Sequence, residues 1–195
     1  MKSFKSYLLP AVITAIVLVG VVYFMTPQQK DTQESPAQQT NNQIPEEPTK
    51  ITNYDECVAA GNPSLESYPA RCTANGQTFT QDIGNELEMN DLIRSESPRP
   101  NQIVSSPLQI NGKARGNWFF EASFPARLLD ANGKELALKP IMTTEEWMTT
   151  NFVSYKGTLT FSKPATATGT LILKKDNPSG LPENDQELRI PVRFE

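Results

Sequence analysis

Residues 106–136, "SPLQINGKARGNWFFEASFPARLLDANGKEL", set a rhythm that the preceding hundred residues lack. Leu108, Ile110, Gly112 and Ala114 alternate with Gln109, Asn111, Lys113 and Arg115, and Trp118, Phe120, Ala122 and Phe124 keep the same spacing. Successive side chains of a strand point to opposite faces, so period 2 predicts strands with one buried face. Outward from there, further runs lie at Arg127–Leu129, Glu135–Leu138, Phe152–Tyr155, Thr158–Phe161, Thr170–Leu173 and Leu188–Phe194, with Asp130-Ala131-Asn132-Gly133 supplying a tight turn. About seven short strands in roughly 100 residues is the profile of an all-β immunoglobulin-like sandwich. Trp118 is the candidate central core tryptophan, with no cysteine in this region to place a bridge beneath it.

The last run places Leu188, Ile190, Val192 and Phe194 on one face and Arg189, Pro191, Arg193 and Glu195 on the other. Pro191 cannot donate to a ladder, which predicts an edge strand or one paired on a single side there. Between the last two runs, Lys174 to Glu187 form a connection far longer than the usual hairpin loop of about two to five residues. Its turn signals are Asn177-Pro178 and Ser179-Gly180, and Asp176, Glu183, Asn184, Asp185 and Glu187 supply oxygens. Asp176, Asn177, Pro178, Ser179, Gly180, Glu183, Asn184 and Asp185 are therefore the candidate binding loop. Three readings stay open: a surface for a partner or glycan, a calcium site lacking the usual acidic spacing, and a connection whose side chains satisfy its own backbone. Glu183 and Asp185 are expected to point outward, and Asp176 to cap the turn beside it.

The chain's two cysteines, Cys57 and Cys72, stand before the β-patterned region. An even count in an exported segment argues for a bridge, and the chain-entropy model gives roughly 3 kcal/mol for a loop of this size. Asn53 with Glu56 caps a short helix stopped by Gly61 and Pro63, and Asn75-Gly76 is a two-residue hairpin signal. A small disulfide-stapled α/β module results, and the sandwich is expected not to depend on it. Tyr-x3-Cys-x3-Gly-x-Thr-Phe, residues 68–79, resembles part of a Kazal protease-inhibitor domain, although the cysteines suffice for one bridge where such domains carry three.

The amino terminus decides the expected compartment. Lys2 and Lys5 precede a run from Tyr7 to Met25 without a charge. As a helix it spans roughly 28 Å, close to the bilayer's hydrocarbon core. Val22-Tyr23-Phe24-Met25 is too bulky for a cleavage site, which favours a retained anchor over a removed signal. The lysines put the amino terminus in the cytoplasm and everything after the span outside. Residues 26–50 hold Pro27, Pro36, Pro45 and Pro48 among Gln, Asn and Thr, the composition of a disordered stalk. The expected organisation is thus residues 1–25 as cytoplasmic tip and transmembrane helix, 26–50 as stalk, 51–90 as stapled module and 91–195 as sandwich.

Composition narrows the function classes. Among 195 residues, 18 are basic and 22 acidic, a net charge of -4 without a basic segment, which argues against nucleic acid as a partner. Histidine is absent, which removes Ser-His-Asp and Cys-His catalysis and His-ligated zinc. No phosphate loop, nucleophile elbow or C-x-x-C pair occurs, and Glu145-Glu146 reads as solvated surface. No catalytic residue, metal ligand or cofactor is therefore assigned, and an enzyme is not expected.

Two blocks, "GKARGNWFFEASFPARLLDANGKEL" and "GTLILKKDNPSGLPENDQELRIPVRF", resemble the immunoglobulin-like domain of bacterial spore-germination proteins over about residues 97–194. That family's module also occurs in other bacterial envelope proteins. The resemblance implies an extracytoplasmic β-sandwich. Together with the anchor, it points to a single-pass membrane protein that binds or scaffolds an envelope protein or glycan. The alternative is an inhibitor or regulator of an extracytoplasmic enzyme, acting through the Cys57–Cys72 module.

Overall fold

The computed structural model describes residues 50–195, so the expected span and most of the stalk lie outside the described residues. No helix among the described residues is long and apolar enough to cross a membrane.

The chain first makes a short helix α1 (Tyr54–Ala59) and a three-stranded sheet of β1 (Ser64–Leu65), β2 (Arg71–Ala74) and β3 (Gln77–Thr80). Asn53 caps α1 by accepting the Glu56 N–H at 2.9 Å, and Glu56 reaches back to the Thr52 N–H at 2.7 Å, a reciprocal cap one residue apart. Asn75 and Gly76, at φ 52° and 76°, make the expected turn between β2 and β3. Cys57 and Cys72 are bridged, and with Ala74 and Phe79 they form a small buried core.

After a one-turn helix α2 (Glu86–Met89) come β4 (Ile93–Ser97), β5 (Ile103–Val104), β6 (Leu108–Arg115), β7 (Ser123–Asp130), β8 (Glu135–Met142), β9 (Phe152–Leu159), β10 (Thr168–Lys174) and β11 (Glu187–Phe194). Their order in space is β4-β6-β9-β8-β7-β10-β11-β5. The ladder is continuous only through one β8–β9 pair, Met142 opposite Lys156, where it folds from one layer into the other. The layers enclose Ile93, Ile110, Ala114, Val153 and Leu159 from one side and Phe124, Leu128, Leu171, Leu173, Leu188 and Ile190 from the other. Phe124 meets Tyr155 edge-on across the gap at 5.0 Å and Phe119 at 5.2 Å, the geometry that aromatic quadrupoles favour. The buried Tyr155 hydroxyl donates to the Arg94 carbonyl at 3.0 Å, and burial pushes its pKa up. Gly112 carries no Cβ because one would overlap the Arg94 carbonyl and the Tyr155 ring.

Most strands follow the period-2 reading, but burial does not alternate along β8 or β10, and other departures occur. Trp118 to Phe124 is not one strand. Gly116–Trp118 is a 3-10 turn, and Glu121 and Ala122, at φ 49° and 60°, form a tight turn in which Phe120 and Ser123 exchange backbone hydrogen bonds. Phe119 is consequently buried and Phe120 exposed, the reverse of simple alternation. The runs Phe152–Tyr155 and Thr158–Phe161 join in a single strand, β9, which ends at Leu159 and is paired along its length with β6. The short strands β4 and β5 carry too few apolar residues to stand out in the sequence.

Pro191 behaves as its chemistry requires. β11 pairs throughout with β10, while on its other side only Arg193 and Phe194 meet β5. The Pro191 carbonyl turns away from β10 and accepts the Asn101 N–H at 2.7 Å. The rest of that open side is covered by the chain leaving the stapled module. The Asn85 carboxamide accepts the Arg189 N–H at 2.7 Å and donates to the Glu187 carbonyl at 2.9 Å, so one side chain does the work of a paired strand. Gly84 at φ 66° lies so close to the Arg189 carbonyl that a Cβ would overlap it. Asn101 Nδ2 donates to the Asp82 carbonyl, and Arg193 pairs with Asp55 at 2.8 Å. The boundary expected near residue 91 is thus crossed by several contacts.

Asn85→Ala should lower stability by about 1 kcal/mol, a typical net value for hydrogen bonds that water partly replaces. Gly84→Ala should cost more than Gly61→Ala, since Gly61 also has a positive φ but faces open space. Thermal melts of residues 50–195 measure both. A fragment of residues 92–195 bares the β11 edge and should self-associate in sedimentation, as uncovered edges do.

Candidate functional site

The loop between β10 and β11 is organised from its base upward. The Lys175 N–H donates to the Gln186 carbonyl at 2.8 Å, extending the ladder by one step, and the Asp176 N–H donates to the Trp118 carbonyl at 3.1 Å, fastening the loop to the β6–β7 turn. Asn177 to Gly180 then form a turn closed by the Gly180 N–H on the Asn177 carbonyl, with Gly180 at φ 66°. Pro182–Asn184 is a 3-10 turn that brings the chain back.

Side chains lock this path. Asn177 Nδ2 donates to the Leu181 carbonyl at 2.8 Å and to Asp185 Oδ1 at 2.9 Å. The Ser179 hydroxyl donates to Asn177 Oδ1 and accepts from Asn184 Nδ2 at 3.0 Å. Asp185 Oδ2 takes Lys174 Nζ at 2.9 Å. The hydrogen bond from Asn177, and then Lys174, hold the Asp185 carboxyl below the usual carboxylate range.

Asp185 is exposed, as expected, but also ties both limbs together, whereas the Asp176 carboxylate, expected to cap the turn, has no hydrogen-bonded partner among the described residues. Glu183 does point outward and is exposed, as is Leu181. The signal for Asp185 lay in its position: two residues before β11, it comes within reach of Lys174, the last residue of β10.

Beside the loop base lies an open hollow of about 400 Å³ lined by Asn85, Met89, Lys174, Asp185, Glu187 and Arg189. Its charges are mutually engaged, Lys174 with Asp185 and Arg189 with Glu187. Among the described residues no three His, Cys, Asp or Glu side chains converge as a metal site would need. The arrangement offers rigid shape and hydrogen-bonding edges, with no nucleophile beside a base.

A second ordered cluster, unmarked in the sequence reading, stands on the outer face of the β4–β6–β9 layer. The guanidinium carbons of Arg94 and Arg115 lie 4.5 and 4.1 Å from the centroid of the Phe152 ring. Arg115 Nε donates to the Asp91 carbonyl at 2.9 Å and Nη1 to the Thr150 carbonyl at 3.2 Å, and Arg94 Nε donates to the Asn90 carbonyl at 2.7 Å.

Rigid strands around a closed core thus carry a loop that is fixed at its base. Residues 92–180 match the immunoglobulin-like domain of bacterial spore germination. The match begins at the residue before β4, earlier than the blocks quoted above, and ends inside the long loop, before β11. Comparisons with curated proteins and with solved structures returned no match.

Asp185→Ala should free the loop, seen as faster amide exchange at Gly180 and Asn184, while Asp176→Ala leaves exchange there unchanged. Because the Asp185 pKa is depressed on folding, its contribution is present above the ordinary carboxylate range and is lost as pH falls through the depressed value. An NMR titration should show Asp185 protonating below the usual carboxylate range, and Lys174→Met should move it upward.

Proposed function

We propose that the protein is a membrane-anchored, extracytoplasmic bacterial protein that uses its immunoglobulin-like domain to bind or scaffold an envelope partner, a protein or a glycan. The observation that carries this reading is the β-sandwich matched to the immunoglobulin-like domain of bacterial spore germination, a family not typically enzymatic. It follows, in the sequence, an uncharged run flanked on its amino side by Lys2 and Lys5 and a proline-rich stalk. The stalk holds the domain off the bilayer, and the contacts through Asn85 and Arg193 make the stapled module a rigid base for it. Exposed Leu181 and Glu183, at the tip of a loop in which Asn177, Ser179, Asn184 and Asp185 are engaged with one another, are the positions most available to a partner.

A second reading has the stapled module act on an extracytoplasmic enzyme. Leu65 and Tyr68, 62% and 58% exposed within the disulfide-closed loop, favour it.

A reporter active only outside the cytoplasm, fused after Glu195, should be active, and thiol labelling should require reductant. An inactive reporter on an intact, membrane-bound chain would remove the topology. Partner capture lost in a Leu181→Ser/Glu183→Ala variant assigns binding to the sandwich, and capture lost only in a Leu65→Ser/Tyr68→Ser variant assigns it to the module.

A further inference from the structure

We infer that the outer face of the β4–β6–β9 layer is a binding site for a linear polyanion with repeating phosphodiester groups. Register places cations on three successive rungs of this face. Arg115 stands opposite Phe152, then Arg94 stands opposite Lys113, itself opposite Ser154, and then Asn111 stands opposite Lys156. Residues two apart on a strand are separated by roughly 7 Å, so positive charge recurs at about that interval across three strands. Among the described residues Lys113 and Lys156 have no ion-pair partner, and the nearest carboxylate to Arg94 is Asp91 at 4.0 Å with its side chain 92% exposed.

The two arginines are preorganised. The Phe152 ring and the carbonyls of Asn90, Asp91 and Thr150 fix them, while Arg94 Nη1 and Nη2 and Arg115 Nη2 make no hydrogen bond among the described residues. Holding a guanidinium before the ligand arrives removes much of the entropic cost of a bidentate contact with a phosphate. The shape of the charge selects a chain over a plane. Glu96, hydrogen-bonded to Asn111 at 3.2 Å, and Glu145, held by the Ser154 N–H at 3.2 Å, border the cationic row. A flat anionic bilayer would meet these carboxylates together with the cations, whereas a narrow polymer lies along the row and avoids them. Phe152 is half-buried and engaged by both guanidinium groups, which makes it a poorer candidate than an open ring for insertion into lipid or stacking on a base.

This site is separate from the β10–β11 loop, and rests on the proposed function only for where such a polymer would be met. The test uses the full-length chain immobilised at its amino terminus, in about 50 mM salt, where phosphate contacts are least screened. The probes are poly(glycerol phosphate), phosphatidylglycerol vesicles and inorganic phosphate. The polymer should be retained in preference to vesicles of equal phosphate content, free phosphate should compete weakly, and binding should fall steeply with added salt. Arg94→Gln with Lys113→Gln should weaken polymer binding about tenfold, the loss expected when two phosphate contacts disappear. An equal charge change elsewhere, Arg127→Gln with Lys134→Gln, should leave it within about twofold, as distant screened charges contribute little. Should the first variant melt early, Lys113→Gln with Lys156→Gln gives the same readout without touching the anchored guanidinium groups. No retention of the polymer, retention of vesicles alone, or equal losses in the two charge-changed variants would each overturn the site. None of these outcomes alters the reporter or the loop-variant results, which belong to the proposed function.

Discussion

The two layers of the sandwich meet across an aromatic contact that leaves little freedom elsewhere. Phe124 of β7 lies edge-on to Tyr155 of β9 and to Phe119. Tyr155 reaches that position because its hydroxyl passes over Gly112 to the Arg94 carbonyl, joining three strands of one layer to the ring that packs on the other. Phe119 reaches it because the chain makes two consecutive turns after β6 instead of continuing straight. Those turns exist because Gly116 sits beneath the Trp147 and Thr149 carbonyls, where a side chain would not fit, and because Glu121 and Ala122 accept positive φ. The same turns expose the Trp118 carbonyl to the Asp176 N–H, so the long loop is fastened by the device that fills the core.

This coupling explains which parts were readable in the sequence. Strands β6, β7 and β11 bury one face each, and their period-2 patterns state it openly, whereas β10 buries Leu171, Ile172 and Leu173 in succession. The helix cap at Asn53, the Asn75-Gly76 turn and the cysteine pair are local signals, decided within a few residues, and they too were legible. The Trp118–Ala122 segment misled because its apolar spacing fitted a strand while the glycine at 116 and the loop at 147–149 imposed turns from a distance of some thirty residues. Nothing within that segment announces such a constraint. β4 and β5 were missed for the opposite reason, since short strands with few apolar positions leave periodicity almost nothing to register.

The loop shows how far composition reaches and where it stops. Asn, Asp, Ser and Gly between two strands predict side chains that satisfy their own backbone, and Asn177 and Ser179 do so at Leu181, whereas Asn184 and Asp185 bond to other side chains instead. Which carboxylate joins the network depends on its distance to Lys174 across the hairpin, a relation between positions eleven residues apart. The outer-face arginines are less legible still. Arg94 and Arg115 become neighbours of one ring only through the β4–β6–β9 register, so a sequence with net charge -4 and no basic segment conceals a local row of cations.

The covering of β11 links stability to function. An immunoglobulin-like sandwich that presents a surface to other molecules must avoid pairing its own free edge with theirs, because backbone hydrogen bonding takes any strand. Pro191 removes one donor from that edge, the Asn85 carboxamide occupies a neighbouring donor and acceptor, and the Asn101 N–H takes the carbonyl left over. The stapled module supplies Asn85 and is tied back by Arg193 and Asp55. Its disulfide acts in the unfolded chain by restricting the loop, and in the folded chain by holding α1, and with it Asp55, where Arg193 can reach. The module therefore contributes the side chain that closes the β11 edge, so that the backbone of β11 is not left open to pairing with another strand.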